Sequence, residues 1–126
     1  MTCLLDTHFL IWITSEAKRL RNYRWLKHYE PWVVSPMSFL EIQILAESGK
    51  LSGRNPEFTD SVLSDPRFAV DEVPFVTLIQ KSLELSWTRD PFDRLIAAHS
   101  LTRRLPLCTI DSVMLENHKL VVPELR

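Results

Sequence analysis

Thr2-Cys3-Leu4-Leu5-Asp6-Thr7-His8 opens the chain with an apolar run that stops at an acid. The run is too short for a helix and is not interrupted by polar residues, which is how a strand buried on both faces reads. Leu107-Cys108-Thr109-Ile110-Asp111 repeats the arrangement near the other end. The second run belongs to a strand predicted over 105–110, and further strands are predicted over 32–35, 67–73 and 120–122. Helices are predicted over 7–13, 17–29, 36–48, 57–63, 74–85, 91–102 and 112–117. Pro36 and Pro91 open two of them, Gly49 stops one, and a loop is expected at 53–56. Strands that alternate with helices predict an α/β fold, with a parallel sheet of about five strands and helices on both faces. A chain of 126 residues is the length of one domain, spanning 1–126.

Composition narrows the function. The chain is 45% hydrophobic and 25% charged, an ordinary globular balance. It has two glycines, too few for a Gly-rich phosphate loop. A net charge of −1 argues against nucleic-acid binding by the whole surface and leaves room for a local basic patch. Cys3 and Cys108 fall in predicted buried strands and read as reduced core thiols. Their spacing excludes a CxxC-type zinc site. No apolar stretch is long enough to span a membrane. Asp6 interrupts any signal-peptide pattern, so a cytoplasmic location is expected.

Five acids are hard to explain by structure alone. Asp6 and Asp111 each end an apolar run, and the carboxyl ends of parallel strands are where α/β folds bind ligands. Helix capping is the competing role for both. Glu41 lies on a predicted helix face with Met37, Ser38, Ile44 and Leu45; the alternative is a Glu at the edge of the apolar stripe, bonded to Ser38 or a backbone amide. Asp93 has Ile96 and Ala97 one turn on, although an acid in a first turn also suits the helix dipole. Asp90, just before Pro91, reads first as an N-cap. Ionised carboxylates are costly to bury without compensation. A convergence of them without an equal set of basic partners points to a hard divalent cation.

Four segments, in order, resemble the motifs of the PIN-domain family. They are Leu4-Leu5-Asp6-Thr7-His8, Ser35-Pro36-Met37-Ser38-Phe39-Leu40-Glu41-Ile42, Arg89-Asp90-Pro91-Phe92-Asp93-Arg94-Leu95-Ile96-Ala97-Ala98, and Leu107-Cys108-Thr109-Ile110-Asp111. The match is closest to the VapC-type toxins of toxin–antitoxin pairs. The resemblance implies a PIN-like three-layer fold and a Mg²⁺- or Mn²⁺-dependent endoribonuclease. It carries the acidic quartet onto Asp6, Glu41, Asp93 and Asp111, with Asp6, Asp93 and Asp111 as metal ligands and Asp90 and Thr109 in support. It also implies an antitoxin partner and a homodimer, to which the Trp-rich N-terminal third, Trp12, Trp25 and Trp32, would contribute. Two features depart from the family pattern. Leu40 stands where a Trp often precedes the helical Glu, and the basic segment 18–27 is unusually dense.

RNA must reach an acidic cleft, so cations have to offset it. If 17–29 is one α-helix, Lys18, Arg21, Trp25 and His28 share a broad face able to track phosphates; a solvated helix face is the plain alternative. Arg89 and Arg94 flank the acidic helix start and are phosphate-clamp candidates. His8 and His99 read as packing or surface residues. No Ser or Cys sits in a nucleophile-like motif. A non-catalytic PIN-like module that binds RNA or protein is the alternative reading. A phospho-acceptor domain ranks last, because Thr7-His8 follows Asp6 where a paired acid would be wanted.

Overall fold

The structure, a computed structural model, describes residues 1–52 and 55–126. Four strands, β1 (Leu4–Leu5), β2 (Trp32–Val34), β3 (Phe68–Val70) and β4 (Leu107–Cys108), form one parallel sheet in the order β3-β2-β1-β4. The helices are α1 (Thr7–Thr14), α2 (Pro36–Glu47), α3 (Asn55–Ser64), α4 (Phe75–Ser82), α5 (Pro91–Arg103) and α6 (Ser112–Asn117). The chain lays β2 and β3 on one side of β1 and then crosses to place β4 on the other. The strand order therefore reverses direction between β1 and β4, which is where such sheets leave a crevice at their carboxyl ends.

Alternation along the strands divides the apolar residues between two cores. Leu5, Trp32, Val34 and Cys108 point into one, with Phe9, Leu10 and Ile13 of α1 and Val62 of α3. Leu4, Val33 and Leu107 point into the other, with Leu78 of α4, Leu95–Ala98 of α5 and Met114 of α6. Helices cover both faces, as the sequence predicts. Cys3 and Cys108 are buried free thiols. Among the described residues, no helix is long and apolar enough to cross a membrane.

Three expectations are corrected. The predicted last strand at 120–122 shrinks to a single parallel bridge, Val121 to Leu107, with Val122 N–H donating to Leu107 O at 3.1 Å. Pro123 turns the chain away directly afterwards. The strand expected over 67–73 is confined to Phe68–Val70. Asp71 leaves it to face His99 and Arg103, 2.8 and 2.9 Å from its Oδ2. The helix expected over 17–29 is two 3-10 segments, Lys18–Asn22 and Arg24–Tyr29. Tyr23, at φ −128° and ψ 50°, breaks them apart. Of the expected loop at 53–56, residues 53 and 54 lie outside the described residues, and Asn55 and Pro56 already begin α3.

Candidate active site

β1 delivers Asp6 and β4 delivers Asp111 to the same end of adjacent strands. The pairing of Leu4 with Leu107 and Leu5 with Cys108 sets that register, and Asp6 N–H donates to Cys108 O at 3.0 Å. Thr109 lies between the two acids and is fully buried. Its hydroxyl donates to Asp6 Oδ2 at 2.7 Å and accepts from Asp111 N–H at 3.1 Å. One hydroxyl thus sets the position of both acids. Asp6 does not cap α1 with its side chain. Asp111 does cap α6, through Oδ1 on Met114 N–H at 2.9 Å, which leaves its second oxygen for the crevice.

The other acids arrive on α5 and α2. Asp90 Oδ1 accepts from Phe92 N–H at 2.9 Å and Asp93 N–H at 3.2 Å, so Asp90 is the N-cap of α5. That releases Asp93 from capping and turns it toward the crevice. Ser35 caps α2 through Met37 N–H, and Pro36 fixes its first turn. Glu41 then sits in the middle of α2, half-buried, with Oε1 buried and without a hydrogen-bond partner. Sequence reasoning missed Thr7, whose hydroxyl is 2.9 Å from Ser38 Oγ and which also supports Glu41 by a hydrogen bond. Its signal was its place beside Asp6, with Ser38 three residues before Glu41.

The electrostatics join these residues into one site. Asp93 is pushed up to about 7, first by burial and then by Asp90, Asp6, Asp111 and Glu41. Glu41 is raised by burial and by Asp6 and Asp90, against the Thr7 hydrogen bond and His8. Asp6 is raised by burial, against the Thr109 hydrogen bond and His8, with Asp111 adding to the rise. His8, exposed beside the crevice, is therefore an electrostatic neighbour of two of the acids. Among the described residues, none of the five acids makes a salt bridge. The folded chain holds these like charges together with no ion pair among them, His8 alone opposing two of them in part.

Not every candidate joins the site. Arg89 and Arg94 stand at the start of α5, and Arg94 Nε is committed to Ser82 O at 2.9 Å, where it fastens α4 to α5. Lys18 and Arg21 lie elsewhere, on a groove with Trp32 and Arg67, at the opposite ends of the strands. The expected face of Lys18, Arg21, Trp25 and His28 does not form, because the segment is not an α-helix.

Among the described residues, no three His, Cys, Asp or Glu side chains converge closely enough to enclose a metal ion by themselves. Magnesium does not require such a cage. It is held by one or two carboxylates, with waters and substrate phosphate filling the octahedron. The oxygen donors, the orphaned Glu41 Oε1 and the unrelieved repulsion on Asp93 all fit a hard divalent cation.

The PIN domain family matches the chain over residues 3–119. No curated protein matches it. Two solved structures are similar in fold. One is a toxin–antitoxin complex from Klebsiella pneumoniae, at 20% identity over 88% of each chain and a TM-score of 0.64. The other is VapBC2 from Rickettsia felis bound to a DNA fragment from their promoter, at 19% identity over 96% of each chain and a TM-score of 0.66.

Proposed function

The chain belongs to the PIN-domain family, and from that premise we propose that it is a divalent-metal-dependent endoribonuclease, the cytoplasmic toxin of a toxin–antitoxin pair. The observation that supports this most is the gathering of Asp6, Glu41, Asp90 and Asp111 around Asp93, which lifts that carboxyl to about 7 without any cation among them. The two similar structures, a toxin–antitoxin complex and VapBC2 bound to promoter DNA, support the partner.

Asp6, Asp111 and Asp93 would hold Mg²⁺ or Mn²⁺. A bound cation of this kind lowers the pKa of water and stabilises charge on a phosphoryl oxygen. The chain's own residues do the rest. Thr109 aims Asp6 and favours its carboxylate form against the burial that raises it. Glu41 in its ionised form would take a proton from the attacking water as its oxygen bonds to phosphorus and the P–O bond to the leaving nucleotide breaks, the leaving oxygen taking a proton from solvent. Asp90 holds the first turn of α5 so that Asp93 faces inward. Arg89, at the start of α5, would be the cation that meets substrate phosphate, since Arg94 is taken up with Ser82.

The test is cleavage of RNA by purified protein in Mg²⁺, with Asp6→Asn alongside. Wild type should cut and Asp6→Asn should lose at least about a hundredfold, the scale of one missing charge-stabilising group. Full activity in Asp6→Asn would remove the assignment. RNA binding without cutting in either metal would favour a non-catalytic module.

A further inference from the structure

Lys18, Arg19, Arg21, Arg24 and Lys27 place five of the chain's 15 Lys and Arg residues in one short stretch that contains no acid. Four of them recur at a spacing of three. In an α-helix that spacing would fan them around half the circumference, but in a 3-10 helix residues i and i+3 eclipse. The segment adopts the 3-10 form on both sides of Tyr23, and Lys18, Arg21, Arg24 and Lys27 line a single groove of about 410 Å³ with Arg67, one acid, Glu16, and an apolar wall that includes Leu20 and Trp32. Successive cations within each 3-10 segment are separated by roughly 6 Å along the axis, three residues at about 2 Å each. That is close to the separation of neighbouring phosphates on an RNA strand. Arg67 already answers Asp65 at 2.7 Å. The four in the row have no carboxylate partner among the described residues. Arg19, off the row, lies over Trp12 at 4.4 Å instead.

We infer that this groove is a second RNA-binding site, separate from the carboxylates, which grips the phosphodiester backbone of a substrate long enough to reach both. The inference rests on the nuclease reading and adds to it how substrate is selected: by length and shape before sequence. The geometry permits it. α1 starts beside Asp6 and ends where the groove begins, and its eight residues span about 12 Å, a few nucleotides of RNA. An acidic protein segment is the other conceivable occupant. Protein interfaces take large apolar anchors at their centres. Among the described residues, the large exposed apolar side chains lie elsewhere, on α2 to α4, at Ile110, at Val113 and at Met1, and none is at 16–32. Five cations against the single groove carboxylate of Glu16 suit a phosphate backbone better.

The experiment compares wild type with Lys18→Gln/Arg21→Gln/Arg24→Gln/Lys27→Gln. Binding of a structured RNA of tRNA size is followed by anisotropy in EDTA over a salt series. The variant should bind at least about tenfold more weakly, and its log–log salt slope should fall by about 3, from roughly 0.7 per lost contact on a single strand. In Mg²⁺, KM for the long RNA should rise while kcat stays. Cleavage of a dinucleotide, whose single phosphodiester cannot occupy both sites, should not change. Arg21→Lys/Arg24→Lys keeps the charge and should keep the slope. If the quadruple variant melts early, Arg24→Gln alone should give a slope change of about one contact. Unchanged affinity and slope overturn the inference. So does unchanged RNA binding with loss of binding to a polyglutamate peptide, which would give the groove to an acidic protein. Groove-dependent binding without any cleavage would refute the nuclease reading and leave the groove standing.

Discussion

Asp93 is the residue whose charge is most at odds with its surroundings, and that makes it testable without RNA. Its carboxyl titrates near 7 in the fold, against 3.8 for the free side chain. Between those values the folded chain holds a proton that the unfolded chain releases. Stability of the metal-free protein should therefore fall as pH rises from about 4 to about 7, and the full penalty should apply above that. Asp93→Asn removes the charge and does not remove the cap, which is Asp90. In EDTA at pH 8 the variant should melt higher than wild type by a few degrees. The gain is on the order of 1 kcal/mol, discounted because the group is only half-buried. At pH 4 the difference should vanish, and Mg²⁺ should shrink or reverse it. A lower melting point in EDTA at pH 8 would make Asp93 a structural acceptor. Thr109→Val tests the neighbouring bond. Losing the hydroxyl removes the partner that favours ionised Asp6, so the acid limb of the pH–rate profile should move upward and activity should drop about tenfold, the scale of one charge-assisted bond. An unmoved limb would reduce Thr109 to packing. Asp6, Asp90, Asp93 and Asp111 could be read from the sequence because each sits at a strand end or a helix start, places with a local signature, and Glu41 because it breaks an apolar helix face. Thr7 and Ser38 could not, since their meeting depends on how α1 and α2 pack.

At the scale of elements, punctuation decided what was readable. α2 and α5 begin at Pro36 and Pro91, each preceded by a capping Ser or Asp, and both caps are made. The α5 cap gives a sharp comparison. Asp90→Asn and Asp90→Ala remove the same charge from the crowded site, but only Asn can still accept from Phe92 and Asp93 N–H. Asp90→Ala should be less stable than Asp90→Asn by about 1 kcal/mol in urea titrations. Equal stabilities would show that the cap contributes nothing there. The segment 17–29 was misread for the opposite reason. It carries no proline or glycine, and its cations follow a period of three, which an α-helical template half accepts. Only the tertiary position of Tyr23, 5.1 Å from the Phe9 ring and stacked at 6.4 Å on Trp12, shows where the helix must break. β3 was read too long because Asp71 and Val73 continue the strand pattern while the backbone has already left it.

For the whole molecule, the aromatic third of the chain is not free to make an interface. Trp12, Trp25 and Trp32 are partly or fully buried and form an aromatic cluster with Phe9, Tyr23, Tyr29 and Phe68. The expected dimer needs another surface. α4 presents Phe75 and Val76 at its start and Leu83 just past its end, each about two-thirds exposed. Those are costly residues to leave in water, roughly 25 cal/mol for each Å². If the protein is a homodimer, Phe75→Glu should convert it to a monomer by light scattering at micromolar concentration without lowering its melting point much. Monomeric wild type would rule the dimer out. A dimer that survives Phe75→Glu would place the interface elsewhere. The three-layer arrangement itself was readable, because strands of two or three apolar residues buried on both sides leave little choice of architecture.

The orphaned oxygen of Glu41 and the uncancelled charge on Asp93 have a consequence for control. Minimal frustration is the rule in natural folds, and this crevice violates it locally whenever it is empty. Two kinds of visitor can relieve that conflict: a metal ion, which on the proposed reading would arm the chain, and a guanidinium or ammonium group from another protein, which would silence it by the same charge. Activation and inhibition would then be rival occupants of one place. The balance between them would be set by how much of each is present, without any change of shape in the chain.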